Sequence, residues 1–296
     1  MSVRTHLIAG ALALAFTLPA VAQLAPAAPA APALPDSPDS PVVPALPLWE
    51  AGLFGGAVST PAYPGAAQRS SRALALPFFI YRGDVLRVDR SGIGARLVRT
   101  ERIEFDVGLA ASLPARSDAV AARAGMPDLG LLLEFGPRVK LLLANPSSNS
   151  RLRLELPLRA VMQVSGGLQR QGATFEPKLV FETREAQSGW SFEANLAMVV
   201  GDQTVNRYFY EVQPQYATPA RPAYSARAGL MLVRAGVSAS HKFNRDVSLF
   251  GFVRQESYAG AANRDSPLMK KTSGTSIGAG FAWTIGRSSS PARGAM

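Results

Sequence analysis

The chain has no cysteine and only two histidines among its 296 residues. Without cysteine there is no disulfide framework, no thiolate nucleophile, no cysteine-bound metal and no lipid-modified cysteine. Charge is also scarce, at 18% against the usual soluble share of about 25%. No stretch beyond the N-terminus reaches the roughly 20 apolar residues of a membrane helix. A phosphate-binding loop is missing as well: Gly92 and Gly94 supply only Gly-x-Gly, with no third glycine opening a helix. Asp84, Asp89, Asp106 and Asp128 do not cluster as metal ligands, and Glu101 with Glu104 reads as a solvated pair at a strand end. The expectation from these absences is a protein that is not an enzyme and holds no cofactor and no metal.

The beginning of the chain carries an export pattern. Arg4 and His6 precede the apolar run Leu7 to Leu18, and Ala20-Val21-Ala22 is a small-x-small cleavage site, so residues 1–22 read as a signal peptide. Its removal takes away one arginine and lowers the formal charge from +10 to +9. Such a basic balance could serve nucleic acid, but an exported chain seldom meets it. Anionic lipopolysaccharide or murein is the more natural counterpart, and the interspersed acids point to a mixed polar lumen rather than a dedicated anion site. Residues 23–47 are rich in Pro, Ala, Asp and Ser without periodicity. That composition favours extended, core-free chain and reads as a disordered linker.

What the sequence has in abundance is alternation. Ile103, Phe105, Val107, Leu109, Ala111 and Leu113 fall on one face of 102–113, with Arg102, Glu104 and Asp106 on the other. Residues 151–164 repeat the pattern, with Leu152 to Val164 against Arg151, Arg153, Glu155 and Arg159. A period of two marks a β-strand with one apolar face, and these runs match the roughly 9–11 residues that a tilted strand needs to cross a bilayer. About twelve such strands are predicted: 48–58, 73–82, 84–90, 93–100, 102–113, 129–143, 151–164, 174–185, 190–200, 228–240, 247–258 and 274–285. Strands 84–90 and 93–100 are weak, so ten also fit. Pro137, inside 129–143, predicts a bulge or bend because it cannot donate to the ladder.

The connections carry a second signal. Residues 144–150, 186–189 and 241–246 are short, whereas 59–72, 114–128, 201–227 and 259–273 are long. Outer-membrane barrels alternate tight periplasmic turns with longer outer loops in this way. In hydrocarbon an open sheet edge leaves backbone groups unpaired, which closure removes. The predicted fold is therefore all-β: a closed antiparallel transmembrane β-barrel over 48–286 with a tail at 287–296. Its lumen carries Arg102, Glu104, Asp106, Arg151, Arg153, Glu155 and Arg159, and outer-membrane lipid surrounds it.

His241 follows the tenth strand. Ser240 precedes it and so faces the other way, which leaves no nucleophile–base geometry. Trp49, Tyr81, Trp190, Tyr208, Tyr210, Tyr258 and Trp283 lie near strand ends, where aromatic girdles sit.

Several runs in fixed order resemble a known family. Ser59-Thr60-Pro61-Ala62-Tyr63-Pro64-Gly65 is followed by Pro77-Phe78-Phe79-Ile80-Tyr81-Arg82-Gly83-Asp84. Then come Gly201-Asp202, Tyr208-Phe209-Tyr210-Glu211-Val212, Tyr224 to Gly229, and Ala262-Asn263-Arg264-Asp265-Ser266-Pro267-Leu268. Together they resemble the MipA/OmpV family of outer-membrane proteins, over nearly all of 48–285. The motif positions are Tyr63, Pro64, Gly65, Tyr81, Gly83, Tyr208, Tyr210, Ser266 and Pro267. The resemblance implies an outer-membrane barrel and, for some members, a scaffold joining a lytic murein transglycosylase to a murein synthase. Other members look like porins. The chain departs from the pattern at its end, where Phe281-Ala282-Trp283-Thr284-Ile285 is followed by a further tail.

Overall fold

Period-two patterning becomes strand almost wherever it occurs. The computed structural model describes residues 46–83, 86–89, 92–164, 167–183 and 188–292. The expected signal peptide, the linker up to residue 45, Asp84 and the last four residues lie outside them. Thirteen strand segments form one antiparallel sheet: β1 (Trp49–Pro61), β2 (Arg69–Arg82), β3 (Leu86–Asp89), β4 (Gly92–Arg99), β5 (Ile103–Ser112), β6 (Leu131–Ser147), β7 (Ser150–Val164), β8 (Leu168–Phe175), β9 (Lys178–Thr183), β10 (Trp190–Gly201), β11 (Gly229–Lys242), β12 (Val247–Ser257) and β13 (Ser273–Arg287). No helix among the described residues is long and apolar enough to cross a membrane.

The expected strand 174–185 is split. β8 and β9 both run alongside β7 and β10, so they share one position in the sheet. The break falls at Glu176-Pro177, where Pro177 has no N–H to donate. Backbone bonds carry the chain across it: Glu176 N–H donates to Pro157 O at 3.1 Å, and Met198 N–H to Pro177 O at 3.2 Å. The sheet therefore has twelve positions. β1 pairs with both β2 and β13, and β10 pairs with β11, so the pairing runs through all twelve and returns to β1.

Pro137 makes no bulge. β6 keeps one register against β5 past Val107↔Pro137, and its register shifts against β7 lie at Leu142/Ala144 and Ala144/Ser147 instead. Backbone pairing also continues into residues 46–47 of the expected linker and 288–292 of the expected tail. Leu48 N–H donates to Ser290 O (2.9 Å), Ser288 N–H to Trp49 O (3.0 Å) and Ala292 N–H to Leu46 O (2.7 Å), which extends the β1–β13 ladder beyond the short-turn end.

The two faces of the sheet differ in kind. One exposes Leu53, Phe79, Leu109, Phe135, Leu158, Phe192, Leu196, Val237, Ile277 and Phe281, an apolar surface far beyond the patches a soluble monomer shows. At the short-turn end this face gathers aromatic rings: Trp49, Phe79 and Tyr81 stack in series, and Trp190 stacks on Phe192. Trp283 is there too. The opposite, inner face carries the charges.

The long connections do not hang free. Loops 62–68, 113–130, 202–228 and 258–272 pack on one another around Tyr63, Val120, Met126, Leu129, Val212 and Leu268. The helix α1 (Gln203–Tyr210) is set among them. It packs Val205 and Tyr210 against Leu132 of β6 and Val161 of β7. The loops thus form a second core, a cap, over the long-loop end.

Candidate functional site

The inner face is a row of charges of alternating sign. Glu104, Lys140, Glu155 and Lys178 stand directly opposite one another across β5, β6, β7 and β9, where cross-strand pairs interact most strongly. Lys140 Nζ lies 2.8 Å from Glu104 and 2.8 Å from Asp106, and Lys178 lies 3.1 Å from Glu155. Arg138 is opposite Asp106 and grips it with two N–H bonds at 2.9 and 2.8 Å. Arg153 bonds Glu155 at 2.7 Å and also reaches Glu182. Nearer the cap, Glu176 receives Arg159 at 2.7 Å and Arg234. Each buried charge on this face, Asp106, Arg138, Glu155 and Glu176, thus has a partner of opposite sign, the condition under which charge tolerates burial.

Of the expected inner charges, Glu104, Asp106, Arg153, Glu155 and Arg159 come together here. Arg151 shares their parity and is opposite Glu182 at the short-turn end. Arg102 is a correction. It is exposed in the turn before β5, because Thr100 Oγ1 accepts the Ile103 N–H at 3.0 Å and starts the strand one residue later than the alternation implies. Glu104, read as half of a solvated pair, is instead held by Lys140 and Arg96.

The cap is tied by polar bonds as well as packing. Asp202 caps α1: its Oδ1 accepts from Val205 N–H at 2.9 Å, while Oδ2 accepts from Ala173 N–H of β8 at 2.9 Å. Asn206 and Asn263 are almost fully buried. Asn263 Nδ2 donates to Asn206 Oδ1 (2.9 Å) and to Arg227 O (2.8 Å), and its Oδ1 accepts from Arg227 N–H (2.8 Å). Arg221 donates to Ala122 O and Ala124 O, binding loop 202–228 to loop 113–130. We expect Asn263→Ala to leave the Asn206 Oδ1 acceptor without its donor at a cost of about 1–3 kcal/mol, seen as faster proteolysis of loops 202–228 and 258–272 with strand content unchanged.

Most motif positions meet in this cap. Tyr63 donates its phenol to Leu268 O at 2.6 Å, and Ser266 Oγ donates to Tyr210 O at 2.7 Å. Gly65 has a φ of +88°, open chiefly to glycine, and its carbonyl accepts from Lys270 and Lys271 N–H. Pro64 and Pro267 are half-buried beside them, and Tyr208 packs edge-on to Phe209. Tyr81 and Gly83 lie at the other end of β2. Tyr208, Tyr210 and Tyr258 are therefore not girdle residues: α1 and the turn after β12 carry them inward, and Tyr210 and Tyr258 are buried. Burial pushes the Tyr63 phenol up to about 12 against the pull of the Arg123 charge. Unfolded tyrosine ionises near 10. The folded cap thus holds a proton that the opened cap releases, so its stability is full below pH 10 and falls from there to pH 12. The tyrosinate absorbance of Tyr63, taken as the parent protein minus Tyr63→Phe, should accordingly appear at higher pH when both are folded than when both are unfolded.

His241 sits on the outer face with its ring 4.7 Å from Trp190, away from the inner charges. Among the described residues no group of three or more His, Asp or Glu could hold a metal ion.

The model of the family described as MltA-interacting protein MipA matches residues 53–285. The chain belongs to this family. No curated protein sequence matches it. Its fold is similar to the Pseudomonas putida toluene transporter TodX, at 11% identity and a TM-score of 0.33, covering 80% of this chain and 88% of that one. It is similar also to a bacterial polysaccharide outer-membrane secretin (10%, TM-score 0.33, covering 79% and 97%) and to OmpT of Vibrio cholerae (8%, TM-score 0.28, covering 80% and 98%).

Alternation alone made the charged strands visible in the sequence, but α1, the Asn206–Asn263 pair and the stapling arginines went unread. One local signal was present for the helix: Asp202 stands before Gln203-Thr204-Val205, an N-cap residue opening a helical turn.

Proposed function

We propose that the protein is a closed β-barrel of the outer membrane that acts without catalysis, as a scaffold for cell-wall enzymes. The observation that carries the barrel is the apolar outer face combined with pairing that returns from β13 to β1. Such a sheet has no unpaired edge to expose to lipid. The family description, an MltA-interacting protein, supports a lytic murein transglycosylase as partner; the second enzyme that this reading joins is a murein synthase. The packed cap supports a scaffold over a transporter, because its loops pack on one another and on Leu132 and Val161 at the long-loop end.

Murein enzymes meet the short-turn end, where 46–48 and 288–292 leave the barrel as a paired ribbon. Photocrosslinkers at Leu46 and Ser290 should capture a murein hydrolase in intact cells, while the same groups at Arg264 on the cap should not. Capture only from Arg264 would refute the scaffold reading. A second reading, a channel for small polar solutes, draws on the charged inner face; it requires the cap to move, and planar-bilayer recordings decide it.

A further inference from the structure

The inner wall is not uniformly polar. Phe54, Phe78, Phe250 and Phe252 share the inward parity of Glu50, Arg82, Arg254 and Glu256. The Phe54 and Phe250 rings stack 5.0 Å apart. These rings lie on inward-facing glycines: a Cβ at Gly278 would come within 2.5 Å of Phe252, and one at Gly280 within 2.6 Å of Phe250. Covering bare glycine backbone with an aromatic ring stabilises a strand pair, which accounts for the rings against the wall. It does not account for Leu76, which has the same inward parity opposite Phe54 and is 51% exposed. An apolar side chain at that exposure inside a barrel faces open interior.

Beside this apolar strip stands Arg254, more open than the paired cations described above. In their ion pairs the side chains of Arg96, Arg138, Lys140, Arg153, Arg159, Lys178 and Arg234 are 8–22% exposed, whereas Arg254 is 36% exposed. Its carboxylate partner is Glu256, which also accepts the Tyr258 phenol at 2.6 Å. Arg254 Nε is 3.1 Å from Glu256 Oε1 but is too poorly aligned for a hydrogen bond. A cavity of about 220 Å³ opens here, bounded by Arg254, Phe252, Ser238, Asn195, Arg234 and Glu176. Glu176, the one acid on its wall, is already engaged by Arg159 and Arg234.

We infer that this cavity is a binding site for a small organic monoanion with an apolar body, such as an aryl-alkanoic acid. Arg254 pairs with the carboxylate, in the charge-assisted geometry that makes guanidinium–carboxylate contacts strong. The Phe252 ring on the cavity wall receives the apolar part. This site rests on the closed-barrel reading of the preceding section but not on the scaffold role.

The test uses the full mature chain in lipid nanodiscs, with empty nanodiscs subtracted, and calorimetric titration with 4-phenylbutyrate, butyrate and 4-phenylbutanamide. The acid should bind saturably and at least tenfold more tightly than either butyrate, which lacks the ring, or the amide, which lacks the charge. Arg254→Gln should bring the acid to the affinity of the amide, and Phe252→Leu should bring it towards butyrate, while Arg116→Gln on the exposed loop changes nothing. Equal binding of acid and amide, or an unchanged Arg254→Gln, overturns the site. If Arg254→Gln does not fold, the comparison of three ligands on the parent protein still decides. A heat-dependent gel shift on each sample separates the failures: no shift sinks the barrel, whereas a shift without saturable binding sinks the site alone.

Discussion

Deleting residues 204–225 and joining the ends with a short Gly-Ser turn should convert a silent barrel into a conducting one. The parent protein, reconstituted in planar bilayers, should show no steady openings, because Val205 and Tyr210 fill the space against Leu132 and Val161. The deletion removes α1 and also Tyr224 and Val212 from the neighbouring core, and it cuts the Arg221 staple to loop 113–130. Loops 62–68, 113–130 and 258–272 would then lose the packing partner they share. The strands should remain, since their ladders do not pass through the deleted segment. Unchanged heat modifiability together with steady current would place the barrier in the cap. A parent protein that conducts as well as the deletion would instead show that the cap leaves a path open, and the channel reading would gain at the expense of the scaffold.

How far the sequence reveals this molecule depends on the range of each interaction. Strand parity is local, so the side on which Glu104, Asp106, Arg153, Glu155 and Arg159 stand could be read directly. Register is not local. That Glu104, Lys140, Glu155 and Lys178 form a single row depends on four strands sliding into alignment, and no periodicity within a strand encodes this. The inward phenylalanines were legible in principle: Phe250 and Phe252 alternate in phase with Arg254 and Glu256, out of phase with Leu249 and Val253. The cap was harder. Its loops show no period because their contacts are mutual, and Asn206 and Asn263 are 57 residues apart when they bond. The ordered motif residues did mark it, since Tyr63, Gly65, Tyr210 and Ser266 lie close to one another across three of its loops. The break at Glu176-Pro177 is a similar case: prolines stand inside the expected strands at Pro77, Pro137, Pro157 and Pro177, and only strand pairing decides that Pro177 splits its strand.

Glu155→Ala should be the most destabilising single substitution on the barrel wall. Glu155 is 2% exposed and faces three cations: Arg153 at 2.7 Å, Lys178 at 3.1 Å and Arg138 at 3.8 Å. Removing the carboxylate leaves those charges repelling one another away from bulk water, a loss of about 3–5 kcal/mol for a broken buried pair. Glu155→Gln keeps the volume and one acceptor, so it separates the charge from the cavity and should cost less. The decisive comparison is the double variant Glu155→Ala with Lys178→Ala. If mutual repulsion is the cause, deleting the second charge recovers part of the loss, and the pair shows a coupling of roughly 0.5–3 kcal/mol. Simple additivity would mean that packing, not charge, sets the cost. Urea unfolding in lipid vesicles, followed by tryptophan fluorescence and by loss of the folded gel band, measures the parent, Glu155→Ala, Glu155→Gln, Lys178→Ala and the double variant on one scale. The same cycle run on Arg116→Ala and Asp118→Ala, an exposed loop pair at 2.6 Å, should give a coupling within about 1 kcal/mol of zero. The contrast follows from solvent: water screens the loop pair, whereas the row from Glu104 to Lys178 has only its own alternation of sign to offset burial.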